Sequence, residues 1–94
     1  MKKYNYIASA KRTLKIESES ISSIAKQLNK SFTTLCENVI SCKGKFVIMG
    51  VGKSGHIAQK ISATLSSTGT PSIFIHPTEA AHGDIGLIDK KDMV

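Results

Sequence analysis

The sequence predicts an α/β domain, a parallel sheet flanked by helices and preceded by two N-terminal helices, and two observations carry that prediction. One is a seven-residue apolar repeat through the first part of the chain. The other is a short apolar run, a glycine loop, a helical pattern and a second apolar run in that order, which is the signature of a β-loop-α-β unit.

The repeat consists of Ile7, Leu14, Ile21, Leu28 and Leu35, with Ala10, Ile24, Phe32 and Val39 at intermediate positions. Such spacing builds one apolar stripe along a helix. The polar run Asn29-Lys30-Ser31 breaks it, and Ser31 is a candidate N-cap, which places helices near residues 4–28 and 32–42. The stripe is too short before its break for a stable coiled-coil seam, so its expected use is packing on a neighbouring domain or subunit. Phe46-Val47-Ile48-Met49 then suits a strand buried on both faces. After Gly50–Gly55, a helix starting near Gly55 carries Ile57, Ala58, Ile61 and Leu65 at helical spacing and stops at Gly69, with Pro71 forbidding continuation. Ser72-Ile73-Phe74-Ile75-His76 reads as a second strand halted by Pro77, and the crossover makes the two strands parallel. Asp89–Asp92 reads as a solvated turn, and Met93-Val94 as the opening of a third strand. Two strands are a poor stopping point for an open sheet, so the chain is expected to be the N-terminal piece of a longer protein. The expected division is 1–42 for the N-terminal helices and 43–94 for the first half of the α/β domain.

Charge narrows the partners. Of 13 Lys+Arg and 7 Asp+Glu, residues 1–45 hold nine basic and three acidic groups, whereas residues 46–94 are balanced. Lys2, Lys3, Lys11, Arg12, Lys15, Lys26 and Lys30 are spread along a helical pattern with no interleaved aromatics, which favours a solvated face over a nucleic-acid surface. No apolar stretch approaches the roughly 18 residues of a membrane span, and the N-terminus lacks the apolar core of a signal peptide. A cytoplasmic protein is expected. Cys36 and Cys42, with no CxxC spacing, are expected to be thiols of a reducing compartment.

The glycine loop allows three chemical readings. A Walker A loop fails because Val47 stands where its first glycine belongs. Gly50, Gly52 and Gly55 match the dinucleotide fingerprint, but Ile75-His76 replaces the acid expected at the end of the second strand. The third reading is physical: glycines admit a ligand close to the backbone, a helix start offers free N–H groups, and Lys53 adds a positive charge, a combination that favours an anionic, phosphorylated ligand. The plain alternative is a turn that only joins strand to helix. His76, Glu79, His82 and Asp84 follow the second strand at the same edge, sufficient for acid/base chemistry or a metal, although their spacing matches no standard zinc motif. Either histidine could equally serve only to cap or order its loop.

Three segments together, Gly50-Val-Gly-Lys-Ser-Gly-His56, Ser67-Thr-Gly-Thr-Pro71 and His76-Pro-Thr-Glu-Ala-Ala-His-Gly-Asp84, resemble the N-terminal half of the sugar isomerase (SIS) domain of bacterial arabinose-5-phosphate isomerases. The similarity runs from about Phe32 to the last residue. The resemblance implies a five-stranded parallel sheet flanked by helices, followed in most members by paired CBS modules. It implies interconversion of ribulose 5-phosphate and arabinose 5-phosphate on the route to the Kdo sugar of lipopolysaccharide. By position it makes Lys53 and His82 catalytic, and Gly52, Ser54, Gly69, Thr70 and His82 substrate contacts. It places at His76 a zinc ion that inhibits and is not required for turnover, with no other cofactor. It further implies a homo-oligomer, a tetramer for the full-length protein, with sites built from more than one subunit. The rival readings are a non-catalytic SIS regulatory module and a nucleotide-binding fragment.

Overall fold

A computed structural model of the chain describes residues 3–94; the N-terminal Lys2 of the basic series lies outside them. The chain forms two compact units, one ending at Thr33 and one spanning Thr34–Val94. The division falls inside a helix. The second half of that helix belongs with the sheet unit, because Cys42, just past its end, donates its thiol to Lys91 O at 3.4 Å.

In the first unit α1 spans Tyr6–Ile24 and is capped by Asn5, whose Oδ1 accepts the Ala8 N–H at 3.0 Å. The hydroxyls of Ser20 and Ser23 bond back to Ile16 O and Ser20 O, and the helix then tightens into a 3-10 turn over Ala25–Gln27. The next helix, α2, spans Lys30–Ser41. Its cap is Asn29 and not Ser31: Asn29 Oδ1 accepts the Ser31 N–H at 2.9 Å and Asn29 O accepts the Phe32 N–H at 3.0 Å. The predicted cap came two residues late because Ser31 already sits in the first turn, where its own N–H needs a partner. The apolar repeat forms as a helical stripe, yet α1 buries no residue, and Ile7, Leu14 and Ile21 are each more than half exposed.

In the second unit β1 (Phe46–Ile48), α3 (Gly52–Ser67) and β2 (Ser72–Phe74) form the expected parallel unit, with Phe46, Val47 and Ile48 opposite Ser72, Ile73 and Phe74. The ladder is extended at both ends, by Phe46 N–H on Pro71 O at 2.8 Å and Ile75 N–H on Ile48 O at 3.0 Å. The core is Val47, Ile75 and Ala80, packed by Met49, Ile73 and Ile88. The face that α3 buries is Gly55, Ala58 and Ser62, whereas Ile57 and Ile61 of the predicted stripe remain 61% and 46% exposed. Small residues win this face because the helix lies close to the strand backbone. An added Cβ at residue 55 would come 2.6 Å from Gly50 O. Ser72 closes the contact by donating its hydroxyl to Phe46 O at 2.7 Å, with Ser62 Oγ 3.0 Å away, and Ser66 Oγ donates to Ser72 O at 2.8 Å. The buried hydroxyls are thus hydrogen-bonded rather than stranded.

Met93 pairs in parallel with Phe46 on the free side of β1, accepting the Val47 N–H at 2.7 Å and donating to Lys45 O at 3.1 Å. This is a single bridge and not a strand, and it lies where the apolar pair reads as the opening of one. The preceding turn is not wholly solvated: the Asp92 side chain is 2% exposed and accepts from Lys45 N, Lys45 Nζ and Asp89 N at 2.9, 2.6 and 2.7 Å. The Asp89 N–H first, then the Lys45 side chain and backbone, hold its carboxyl at about 2, below the usual 3.8. A folded-state value below the unfolded one means that its stabilisation is complete above about pH 4 and is lost as pH falls through about 2. In urea unfolding, Asp92→Asn is expected to lower the midpoint at pH 6 and to flatten its fall between pH 5 and pH 2. An unchanged acid limb in the variant would remove Asp92 from the acid sensitivity. Both cysteines are free thiols. Among the described residues no helix is long and apolar enough to cross a membrane.

Candidate functional site

Because β1 and β2 run parallel, both deliver their carboxyl ends to one edge of the sheet. From β1 the chain passes through Met49-Gly50-Val51 and enters α3 at Gly52, three residues before the predicted start. Gly52, Lys53 and Ser54 are therefore the first turn of a helix and not a loop, and all three are exposed. The helical ladder opens with Gly55 N–H on Val51 O at 3.1 Å, so the three preceding N–H groups have no carbonyl of that ladder to bond. Val51 offers no capping side chain, and the first turn contains no acid. A lysine at this position is electrostatically misplaced, since the helix dipole already makes this end positive. Three N–H groups without a ladder partner and an exposed ammonium together give this turn a positive potential, in conflict with local helix preference.

The first turn of α3 meets the end of β2 as well: a Cβ on Gly55 would lie 3.7 Å from the Phe74 ring. From β2 the chain enters α4, Pro77–Ala81, a short helix where the sequence predicts a loop. Its signals were present in His76 as the cap, Pro77 at the first helical position and Glu79 in the first turn. His76 Nδ1 accepts the Thr78 N–H at 3.1 Å, and His76 O accepts the Ala80 N–H at 2.9 Å. Ala80 anchors the short helix in the core, and His82 is its C-cap, with an exposed side chain. Gly83 follows with φ of 123°, and Asp84–Leu87 form an exposed 3-10 turn. One sheet edge thus carries Gly52, Lys53 and Ser54 on α3 together with His76, Glu79 and His82 on and around α4.

Gly69 and Thr70 do not join them. They precede β2, at the amino-terminal edge of the sheet, opposite Lys53. Their place in the fold is the end of α3: Gly69, with φ of 100°, donates to Ser66 O at 3.4 Å and Thr70 donates to Leu65 O at 2.8 Å, a Schellman cap. The pair thus stands apart from Lys53 and His82 in this chain.

Geometry at His76 opposes the metal that the resemblance implies. A neutral imidazole has one nitrogen lone pair to give, and at His76 it is given to the Thr78 N–H. Among the described residues, no group of three or more His, Cys, Asp or Glu side chains is gathered to hold a metal ion. The residues as arranged do not fit zinc.

The SIS domain family model matches residues 39–94, which takes in β1, α3, β2 and α4. The chain belongs to the SIS domain family. The SIS match extends to whole-chain relatives. Arabinose 5-phosphate isomerase KdsD of Shigella flexneri is 48% identical over 91 residues, 97% of this chain and 28% of that protein. The enzyme of the same name from Pseudomonas aeruginosa is 48% identical over 90 residues, 96% of this chain and 28% of its own length. Among solved SIS structures, an Escherichia coli protein with a bound sugar phosphate superposes with a TM-score of 0.89 at 42% identity, covering 98% of this chain and 49% of that one. The chain thus spans just over a quarter of the curated relatives it matches.

Proposed function

We propose that the full-length protein is a sugar-phosphate aldose–ketose isomerase that interconverts D-ribulose 5-phosphate and D-arabinose 5-phosphate, supplying Kdo and lipopolysaccharide synthesis in the cytoplasm. The observation that carries the reading is the uncapped, acid-free first turn of α3 with Lys53 in it, at the sheet edge where α4 delivers His82. The named relatives and the sugar-phosphate ligand of the solved neighbour support the choice of substrate.

Moving a carbonyl between C1 and C2 requires a proton to travel between those carbons through an enediol, and negative charge develops on oxygen as it does so. The Lys53 ammonium and the N–H groups of Gly52, Lys53 and Ser54 supply fixed positive potential for the phosphate or the enediolate. The His82 imidazole serves the sugar oxygens, donating a proton to the ring oxygen as the ring opens, while the base that takes the proton from one carbon and returns it to the other is a glutamate of the remainder of the full-length protein. No redox step occurs, so the reaction needs no redox cofactor. The partner is a sugar phosphate, and the assembly is a homo-oligomer, a tetramer.

The test is turnover of arabinose 5-phosphate by the full-length protein, followed by appearance of ribulose 5-phosphate, with calorimetry against NAD as the control. Isomerisation without NAD binding is expected, and His82→Ala should lower kcat/KM by about tenfold without unfolding the protein. Tight NAD binding with no turnover would overturn the reading, and sugar-phosphate binding without turnover would leave a regulatory SIS module in its place.

A further inference from the structure

We infer that His76 is a positioning residue, whose Nδ1 caps α4 and thereby sets where His82 stands, and that it is not a metal ligand. The inference rests on the isomerase reading for its kinetic consequence, though not for its geometry. Five residues are far too few for a helix to hold itself together, so α4 depends on what fixes its ends. Ala80 fixes the middle by burial against Val47 and Ile75. At the start, the side-chain bond is His76 Nδ1 with the Thr78 N–H. At the far end the C-cap is His82, with its backbone N–H on Glu79 O at 3.1 Å. A shift of the first turn is transmitted to His82 within six residues, less than two helical turns.

Histidine is an unusual cap, since Asn, Asp and Ser place their oxygen for the same task with a shorter side chain. Its use fixes the tautomer: a ring that accepts at Nδ1 carries its proton on Nε2 and presents a donor there, not a lone pair. A cation approaching His76 would have to take the lone pair from Thr78 or the proton from Nε2. Zinc binding at this residue and an intact α4 cap therefore exclude each other.

The full-length protein and its His76→Asn and His76→Ala variants separate the possibilities. Asn restores a capping oxygen without an imidazole. His76→Asn is expected to keep kcat/KM within about twofold and to keep Thr78 amide exchange and the His82 imidazole NMR shifts as in the unaltered protein. His76→Ala should speed Thr78 exchange, displace the His82 shifts and lower kcat/KM by about fivefold, the weight of one lost cap. Inhibition by added zinc, if it occurs, should be the same in the unaltered protein and in His76→Asn. Equal impairment of both variants would make the imidazole itself essential and overturn the proposal. So would unmoved His82 shifts in His76→Ala, or zinc inhibition that disappears in His76→Asn. A protein that turns over no sugar phosphate would defeat the isomerase reading alone, because the Thr78 and His82 measurements still decide the cap.

Discussion

Replacing Lys53 with alanine in the full-length protein is expected to lower kcat/KM by roughly ten- to hundredfold, the loss of one charge-assisted contact of about 1.5–3 kcal/mol at the transition state. The same substitution should leave the fold as stable as before, or more so by a few tenths of a kcal/mol. That second half follows from position. Lys53 is exposed in the first turn of α3, where the free N–H groups already create positive potential and no acid or capping side chain offsets it. Alanine removes a repulsion and is a better helix former. Activity and stability therefore move in opposite directions, which a structural lysine would not produce. Lys53→Arg should recover only part of the activity, since a planar guanidinium does not replace a compact ammonium. Steady-state kinetics beside urea unfolding decide the matter, and unchanged turnover in Lys53→Ala would reduce the glycine segment to a strand-helix connection.

The parallel unit was legible because its signals are strong and local. Phe46–Met49 and Ile73–Ile75 are continuous apolar runs, and the glycines and Pro71 punctuate them. Even the contact on the free side of β1 showed in two residues, Met93-Val94, of which Met93 makes one bridge to Phe46. The features that escaped the sequence depend on who lies opposite whom. Ile57 and Ile61 have helical spacing, yet α3 turns Gly55, Ala58 and Ser62 to the strands, since close approach outweighs apolar area there. The family resemblance makes Gly69 and Thr70 substrate contacts, and only strand direction tells that they lie at the other edge from Lys53. In α4, a five-residue helix has no period to detect, and which of the two histidines caps it through a side chain does not follow from spacing. The site divides in the same way. Lys53 follows from chain order alone, whereas the role of His76 turns on one nitrogen's hydrogen bond, which no spacing encodes.

Gly55→Ala is expected to produce the largest loss of stability of any single methyl added near the site, about 1–3 kcal/mol, with a loss of activity beyond what that destabilisation explains. The methyl would stand 2.6 Å from Gly50 O and 3.1 Å from Gly50 C, and these are backbone atoms without a rotamer to change. Relief requires the first turn of α3 to move away from the end of β1. The same turn holds Lys53 and the free N–H groups, so their positive potential moves with it. A displacement of about 1 Å at a catalytic centre can cost about a hundredfold in rate. Gly52→Ala is the contrasting control: its added methyl meets nothing within 4 Å, and the positive φ of 57° brings a strain of only about 1–2 kcal/mol. Gly52→Asn, whose side chain tolerates that conformation, should be milder still, and no such replacement exists for Gly55. Urea unfolding and kcat/KM measured on the three variants give the order, and a Gly55→Ala protein as stable and active as Gly52→Asn would mean that α3 does not lie on the strand as closely as Gly50 and Gly55 require.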